Sequence, residues 1–441
     1  MKHRMKSTLA GALSLAALCA ASPALADTTI EFQRFFGACD AEFGTNTDVS
    51  KAVGECGIIT SLVNAFEAEN PDIKVNVTTV EWPGYDQLTA QFAAGDPPDV
   101  VTIHQSVLGD YASKNLLMPL NDLLASEGIS ADSFTKASLT GVTRDGKIYG
   151  LPIDNWSQLW HIDMALFKEA GLVNPDGTPI LPTSVDELMS QAAQFQEKTG
   201  KTYMTMPLSN ETAAYTRDFY TYLQQQGSDF FGDPTKINIE TPEAKNVLEM
   251  YKELYDKGYI IKDVDYGASL NAFLAGDAGV HEGGTWVIGD YNAESEKDGT
   301  ALNKGGYEVY TYPQLFDGPR SQYADGHSLA VSNVKRSDED TAAIGKFLKF
   351  MFDHDYDWSR TGHLPAVQAV LDSDQFKALP HRATVLDLAQ IGTPLPGAVQ
   401  RQFAIQDIIG QEMNAAMTGQ KSVDDALKDM QDRVNDLLAN I

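Results

Sequence analysis

Positive charge is scarce in this sequence, and that scarcity narrows the classes of function. Lysine and arginine number 33 against 61 aspartate and glutamate residues, a formal net charge of −28 over 441 residues. A surface this acidic repels phosphate backbones and anionic lipid headgroups. The composition therefore disfavours a nucleic-acid or membrane-surface role and favours solubility in an exposed compartment.

Long apolar runs are also absent after the first residues. Three basic residues precede an apolar run over residues 9–21, and the small-residue sequence A-L-A follows at residues 24–26. This is the pattern of a cleaved secretory signal, and the run is too short to cross a bilayer as a stable helix. We expect residues 1–26 to be removed, which takes away three basic and no acidic residues and moves the net charge to −31. The mature chain would begin at Asp27, in the periplasm, without inserting into the membrane.

Cysteine is nearly absent, with three residues in the whole chain. Cys19 lies in the apolar run after Leu18, where a lipoprotein signal would carry a small residue, so a lipid anchor is the disfavoured alternative. Cys39 and Cys56 remain after cleavage, in a compartment that favours thiol pairing. A metal site would need more ligands at close spacing, and no histidine lies between the two cysteines. We predict a Cys39–Cys56 disulfide.

Enzyme signatures are missing as well: the chain has no G-x-S-x-G elbow, no H-E-x-x-H helix and no G-x-G-x-x-G turn. Residues 141–147 read G-x-x-x-x-G-K, but Ile148 replaces the hydroxyl residue of a phosphate loop, and the Asp145-Gly146 pair predicts a hairpin turn. A glycosidase is defined by the separation of two carboxylates in space, which counting does not reveal. A secreted glycoside hydrolase therefore stays the alternative from another class.

Strand and helix patterns alternate along the first part of the mature chain. Strands are predicted over 29–32, 73–78 and 100–103, and helices over 58–69 and 85–94. This order requires crossover connections and indicates an α/β fold with parallel-rich sheets flanked by helices. A mature chain of about 415 residues is too long for one core, so two lobes are expected. Further helices are predicted over 183–199, over 242–257 and after Ser422.

Six short segments carry a family resemblance: FEAENPDIKV (66–75), FAAGDPPDVV (92–101), DGKIYGLP (145–152), FLAGDAG (273–279), GGTW (283–286) and GQKSVDDAL (419–427). In this order they resemble the extracellular solute-binding proteins of ABC transporters, of the maltose-binding (sugar-binding family 1) type. Two departures stand out. Val185 replaces a tryptophan that many relatives carry, and the insertion between Cys39 and Cys56 is not general, which weakens any transfer of sugar identity.

The resemblance implies a two-lobed periplasmic binding protein fold, type II-like, with the ligand between the lobes. The first lobe would comprise residues 27–152 and 312–359, and the second residues 153–311 and 360–441. The implied function is the capture of a carbohydrate, a di- or oligosaccharide, and its delivery to the membrane permease of an ABC importer. A polyol or a sugar derivative such as a glycosylated small molecule is the alternative ligand. The resemblance implies a monomer that is not an enzyme and carries no cofactor.

Sugars present flat C–H faces ringed by hydroxyls, so a binding cleft needs aromatic platforms and charged or amide hydrogen-bonding groups. The resemblance assigns Trp286, in G-G-T-W, to a position that supplies a platform. Asp154, Asn155 and Trp156 follow the first expected crossing and offer an acceptor, an amide and a second platform. A buried core tryptophan and a hinge turn capped by Asp154 are the structural alternatives.

The other candidates come from strand ends and late crossings. His104 and Gln105 end the strand over 100–103, a carboxyl-end position that faces the ligand cleft in this fold, although structural histidines are common. No catalytic residue and no metal site is predicted. The remaining ligand-binding candidates are Arg34, Phe35 and Phe36 after the first strand, Gly326 and His327, Arg360 and His363 near the last crossing, and Arg401.

Overall fold

The computed structural model describes residues 28–209 and 212–441, so the predicted signal peptide and its cleavage site lie outside the described residues. The strands are β1 (Thr28–Arg34), β2 (Ile73–Thr79), β3 (Val100–His104), β4 (Thr143–Arg144), β5 (Lys147–Ile148), β6 (Leu151–Pro152), β7 (Asp154–Asn155), β8 (Gln158–Asp163), β9 (Thr202–Thr205), β10 (Ala278–Gly284), β11 (Tyr307–Tyr310), β12 (Gln322–Tyr323), β13 (His327–Val331), β14 (Leu364–Pro365) and β15 (Gly392–Thr393).

The α-helices are α1 (Asp40–Phe43), α2 (Gly54–Glu69), α3 (Tyr85–Ala94), α4 (Leu108–Ala112), α5 (Asn121–Ser126), α6 (Lys136–Val142), α7 (Met164–Ala170), α8 (Val185–Thr199), α9 (Thr212–Gln224), α10 (Pro242–Asp256), α11 (Tyr266–Leu274), α12 (Ile288–Ser295), α13 (Asp338–Asp353), α14 (Asp355–Ser359), α15 (Gln368–Leu371), α16 (Asp374–Lys377), α17 (Leu388–Ile391), α18 (Gln402–Met417) and α19 (Val423–Ala439). Short 3₁₀ turns lie at Val49–Lys51, Gln105–Val107, Ala131–Ser133, Thr285–Val287 and Leu302–Lys304.

The first sheet has the strand order β2-β1-β3-β13-β6. Strand β1 runs parallel to β2 and β3, as the alternation of strands and helices predicts. Strands β13 and β6 pair antiparallel, so the sheet is mixed rather than parallel throughout. The reversal arises because the chain re-enters this lobe from the second one and starts β13 at His327, beside the end of β3 at His104.

The second sheet has the strand order β11-β8-β10-β9. Strand β10 pairs parallel with β9 and antiparallel with β8, and β8 pairs antiparallel with β11. Each sheet has its own buried apolar core, so the molecule has two lobes. Tyr312, Leu315 and Tyr323 are buried in the second core before β13 joins the first sheet. Residues after 312 therefore pack on the second lobe first.

Helix starts follow the capping residues in the sequence. The Ser184 hydroxyl accepts a hydrogen bond from the Glu187 N–H at 3.2 Å, and the Glu187 carboxylate accepts one from the Thr183 N–H at 2.8 Å. This reciprocal arrangement satisfies N–H groups that the first turn of α8 leaves without helical partners. Pro242 occupies the first turn of α10, directly after the cap residue Thr241. A backbone N–H at this position would have no partner within the helix, so proline loses no helical hydrogen bond there.

The G-x-x-x-x-G-K segment forms a hairpin, as predicted. Strands β4 and β5 pair antiparallel across Asp145 and Gly146, whose φ angles are 49° and 74°. Two consecutive positive φ values are what a two-residue hairpin turn of the primed type requires. The segment is therefore a tight turn and not a phosphate-binding loop.

Several short pairings connect the lobes. Strand β7 pairs antiparallel with β14, and Trp156 forms a bridge with Asp325. The chain thus crosses between lobes in adjacent, mutually hydrogen-bonded segments.

No helix among the residues 28–209 and 212–441 is long and apolar enough to span a bilayer.

The predicted disulfide between Cys39 and Cys56 is present, with a Cα–Cα distance of 6.0 Å. It closes a loop that carries the short helix α1 and ends in the first turn of α2. In the chain-entropy description a loop of this length adds about 3 kcal/mol to stability.

Candidate functional site

A cavity of about 320 Å³ lies between the two lobes. It forms where strand ends from both sheets converge, the place where ligands bind in open α/β sheets. Aromatic side chains make up most of its wall, and few charged groups interrupt them. The lining residues are Phe35, Phe36, Gly37, Glu55, Trp82, His104, Trp156, Arg217, Tyr266, Trp286 and His327.

The first lobe contributes residues from three neighbouring strands. Phe35 and Phe36 follow the carboxyl end of β1, and His104 ends β3 beside it. His327 begins the antiparallel strand β13, which brings its amino end to the same edge. The Phe35 and His104 rings stack with centroids 5.1 Å apart at 13°. Burial lowers the pKa of His104, and the positive groups of His327 and Arg217 lower it further, so the His104 imidazole is neutral.

The second lobe and the crossing contribute two tryptophans that meet at an edge. Trp286 follows the carboxyl end of β10, and its indole N–H donates to the Tyr266 hydroxyl at 2.8 Å. The Trp156 ring meets Trp286 in a T-shaped contact with centroids 5.7 Å apart. Trp156 is buried, whereas Trp286 is only partly buried and presents ring surface to the cavity.

Arg217 places a positive charge in this aromatic wall. It lies on α9, is 4% exposed, and holds its guanidinium 4.5 Å from the Trp156 ring centroid and 5.9 Å from that of Trp82. No ion pair joins it to a carboxylate within the described part of the chain. The Arg217 Nε and the Trp156 indole N–H are buried without a hydrogen-bond partner among the described residues. Arg217 itself lines the cavity, so its guanidinium is the charged donor group that can meet a ligand's oxygen atoms.

Asp154 lies behind the cavity and orients His327. Its carboxylate accepts hydrogen bonds from the His327 backbone N–H at 2.8 Å and from the Trp358 indole at 2.7 Å, and it lies 2.9 Å from His327 Nδ1. Burial opposes ionisation of Asp154, but the charge of His327 and of His363, with these hydrogen bonds, holds its pKa well below the ordinary value. Burial opposes a charge on His327 too, yet Asp154 raises the pKa of its imidazole.

His363 connects the same cluster to the disulfide loop. Its Nε2 lies 2.8 Å from a Glu55 oxygen, and its Nδ1 lies 2.9 Å from the Thr285 hydroxyl. Glu55 precedes Cys56, so the cysteine insertion supplies a carboxylate to the cavity wall. His363 itself is fully buried.

The predicted residues therefore divide into two groups. The structure brings Phe35, Phe36, His104, Trp156, Trp286 and His327 together in the cavity wall. The other predicted residues lie behind this wall or away from it, and most have protein partners that explain their position.

Arg34 and Asn155 are engaged by the protein itself. The buried Arg34 guanidinium donates to the Gly37 carbonyl at 2.6 Å and to the Thr60 hydroxyl at 2.9 Å, so it supports the loop after β1. The Asn155 amide donates to the Ser138 hydroxyl at the crossing. Neither side chain lines the cavity.

Gln105 and Gly326 hold the crossing together. The Gln105 N–H donates to the Gly326 carbonyl at 2.8 Å, and the Gln105 amide donates to the Asp154 carbonyl at 3.3 Å. A Cβ on Gly326 would lie 2.4 Å from that amide nitrogen, so the close approach requires glycine. Both positions are structural in this arrangement.

Arg360 and Arg401 lie farther away. Arg360 donates to the carbonyls of Val49, Ser50 and Ala52, which fastens the disulfide loop to the end of α14. Arg401 is exposed and lines a separate groove of about 680 Å³. Trp82, at 37% exposure, stands between that groove and the cavity and lines both.

Four wall residues with large side chains were not predicted: Glu55, Trp82, Arg217 and Tyr266. The carboxyl-end rule could have found Trp82, because it lies just after β2. Arg217 and Tyr266 lie on helices of the second lobe, and no local pattern distinguishes them from packing residues.

Comparisons with known proteins agree with this architecture. A family model described as bacterial extracellular solute-binding protein matches residues 61–384. A relative from Brucella abortus, named only as a binding protein, is 27% identical over 387 residues, which cover 83% of this chain and 86% of the relative. The sn-glycerol-3-phosphate-binding periplasmic protein of Escherichia coli is 23% identical over 410 residues, which cover 87% of this chain and 90% of the relative.

Among solved structures, this chain matches the GacH receptor of Streptomyces glaucescens, which was solved unliganded and with acarbose. The TM-score is 0.76 at 20% sequence identity, and the match covers 94% of this chain and 99% of the receptor chain. The match confirms the predicted two-lobed fold. The family and these neighbours are binding proteins and not enzymes. The chain belongs to the bacterial extracellular solute-binding proteins.

Proposed function

We propose that this protein is the periplasmic substrate-binding component of an ABC importer, and that it captures a carbohydrate as a monomer and delivers it to the membrane permease. The family supports a binding role outside the cytoplasm. The GacH receptor was solved with acarbose and compared with an acarbose-loaded maltose-binding protein, which supports a carbohydrate as the ligand class.

One observation carries the ligand class. The cavity combines the partly exposed ring of Trp286 and the neighbouring ring of Phe36 with the guanidinium of Arg217, which has no carboxylate partner in the described part of the chain. A sugar ring matches this combination because its C–H faces pack on aromatic rings while its hydroxyl oxygens accept hydrogen bonds. A purely apolar ligand would leave the Arg217 guanidinium without an acceptor.

The groove beside Trp82 supports a ligand longer than one ring. The cavity of about 320 Å³ adjoins a groove of about 680 Å³ through this residue. A di- or oligosaccharide could place one unit against Trp286 and extend another past the exposed Trp82 ring. We therefore favour a di- or oligosaccharide over a monosaccharide.

A phosphorylated polyol is the second candidate, because one observation favours it. Arg217 has no carboxylate partner in the described part of the chain, and a guanidinium binds phosphate oxygens well. The Escherichia coli relative binds sn-glycerol-3-phosphate. Glu55 in the same wall argues against an anion, since it would repel one.

A hydrolytic function would need two carboxylates facing the ligand. Of the described residues that line the cavity, Glu55 alone carries a carboxylate. Asp154 lies behind His327 and its oxygens are occupied by His327 and Trp358. We therefore expect the bound sugar to remain chemically intact over long incubation. Steady release of product would contradict a binding role.

Isothermal titration calorimetry with the mature protein tests the proposal. The panel comprises mono-, di- and trisaccharides, polyols and sn-glycerol-3-phosphate. We expect one saccharide to bind at a stoichiometry of one per chain, more tightly than any polyol or phosphate ester. Binding of the phosphate ester alone would favour the second candidate, and the absence of saccharide binding would refute the first.

A further inference from the structure

Three potential metal ligands converge at one side of the cavity. Each of Glu55, His327 and His363 offers a donor atom, and these atoms lie within 4.8 Å of one another. They come from the start of α2, the start of β13 and the segment before β14, so residues far apart in sequence meet here. Glu55 and His327 line the cavity itself.

Both imidazoles are held by a second partner. Asp154 lies 2.9 Å from His327 Nδ1, and the Thr285 hydroxyl lies 2.9 Å from His363 Nδ1. Metal-binding histidines almost always use one ring nitrogen for such a bond, which fixes the ring and leaves the other nitrogen for the ion. Both histidines are nearly or fully buried, so their rings have little freedom to turn away.

The spacing of the donors suits a small tetrahedral ion. Ligand atoms around Zn²⁺ lie about 2.0–2.2 Å from the metal and therefore about 3.4 Å from one another. The Glu55 oxygen and His363 Nε2 are 2.8 Å apart, so they would separate slightly to admit an ion. Glu55 can move to allow this, because its side chain is 24% exposed.

We propose that Glu55, His327 and His363 form a binding site for a divalent transition-metal ion of the Zn²⁺ kind, with a fourth coordination position open to the cavity. Two imidazoles and one carboxylate are a ligand set that zinc sites with an open position use. The proposal does not depend on which organic ligand the cavity takes.

The test is calorimetric titration of tag-free, chelator-treated protein with Zn²⁺ in the absence of sugar. We expect one ion per chain. Glu55→Gln and His363→Gln should each weaken Zn²⁺ binding at least about tenfold, since even changes outside the ligand shell cost that much. Titration with Co²⁺ should give visible absorption bands of a four-coordinate ion in the wild type and not in Glu55→Gln.

The pair His381 and Glu308 provides the matched control. His381 Nδ1 lies 3.6 Å from a Glu308 oxygen, but no third donor joins them within the described residues. His381→Gln should leave Zn²⁺ affinity unchanged. The proposal is overturned if the wild type takes up no Zn²⁺, if both cavity variants bind it as well as the wild type while keeping the wild-type melting temperature, or if His381→Gln loses binding equally.

Discussion

Trp286 and Trp156 have the same side chain but different roles. Trp156 is 1% exposed and touches both lobes, whereas Trp286 is partly exposed and depends on the Tyr266 hydroxyl for its orientation. Removing Trp156 would open a void at the crossing. Removing Trp286 takes away a platform for the ligand and only the partial packing that its half-buried ring makes at the edges of two apolar clusters.

We therefore expect Trp286→Ala to weaken saccharide binding by about 2–4 kcal/mol, the range of a binding hot spot, with a small change in melting temperature. Calorimetry and thermal denaturation measure the two effects separately. Trp160→Phe is the control, because Trp160 is fully buried in the second core and donates to Glu282 at 3.1 Å. Trp160→Phe should lose stability and keep the wild-type affinity for the saccharide. If Trp286→Ala instead loses much stability, Trp286 is a core residue and not a ligand platform.

Arg217 gives a second test at the scale of single residues. Its Nε has no partner among the described residues, so Arg217→Met should keep much of the packing against Trp156 and lose the charge and the N–H donors. We expect saccharide affinity to fall by about 1.5–3 kcal/mol, the contribution of a hydrogen bond to a charged group. Unchanged affinity in a calorimetric titration would remove Arg217 from the site.

At the scale of elements, the second lobe buries a pair of carboxyl groups between α9 and β10. Glu282 receives hydrogen bonds from Trp160 and Tyr251, and Asp218 receives one from Tyr312 at 2.6 Å. Burial raises the pKa of Asp218 to about 7, and burial with the charge of Asp218 raises the pKa of Glu282 well above its ordinary value. The pair therefore retains a proton at neutral pH that the unfolded chain would release.

A carboxyl whose pKa is raised on folding stabilises the native state below its unfolded pKa, and this contribution is lost as pH rises through the folded value. We expect the contribution of this pair to the free energy of unfolding to fall between about pH 4 and about pH 7. Glu282→Gln keeps acceptor and donor groups without the charge, so its stability should depend less on pH over that interval. Denaturant unfolding at a series of pH values checks this, and parallel curves for the two proteins would contradict it.

The disulfide loop is an element whose position depends on one side chain. Arg360 donates to three carbonyls of residues 49–52, and the loop ends beside Glu55. Arg360→Ala should lower stability by about 1 kcal/mol because it removes hydrogen bonds to the partly buried carbonyls of Val49 and Ala52, and it should weaken ligand binding by loosening Glu55. Arg360→Lys, whose ammonium group lacks the planar fork of a guanidinium, should keep only part of the wild-type stability and part of the wild-type ligand affinity. Wild-type behaviour of Arg360→Ala in melting and calorimetry would contradict this role.

The elements were easier to predict from sequence than the site. Helix α3 and the hairpin at Asp145-Gly146 follow from local signals, because periodicity, glycine and capping act over a few residues. The carboxyl ends of β1 and β3 led to Phe36 and His104, and the family resemblance of the G-G-T-W segment led to Trp286. Arg217 and Glu55 reach the cavity only through the packing of α9 and of the disulfide loop. That packing depends on residues distant in sequence, such as His363 beside Glu55.

The antiparallel strand β13 shows the same limit on a larger scale. Its direction depends on where the chain crosses back from the second lobe, which no local pattern in the sequence reveals. Arg34 and Asp154 were site candidates because they follow the first strand and the first expected crossing. Both side chains are instead hydrogen-bonded within the protein: Arg34 donates to the Gly37 carbonyl and the Thr60 hydroxyl, and Asp154 accepts from His327 and Trp358.

At the scale of the whole molecule, the cavity wall comes from both lobes. A ligand can favour closure of two lobes only by the difference in its affinity for the open and closed arrangements, so it must touch both. His104 and Phe36 belong to the first lobe and Trp286 and Arg217 to the second. The capture of a carbohydrate between these residues is the central claim about this protein.

The crystal structure of the mature protein with its tightest-binding saccharide tests that claim most directly. We expect one ligand molecule in the cavity, with a ring face against Trp286 and a hydroxyl oxygen within hydrogen-bond distance of the Arg217 guanidinium. Contacts to His104 or Phe36 should join it to the first lobe. A saccharide that is bound outside this cavity, or that contacts one lobe only, would contradict the account.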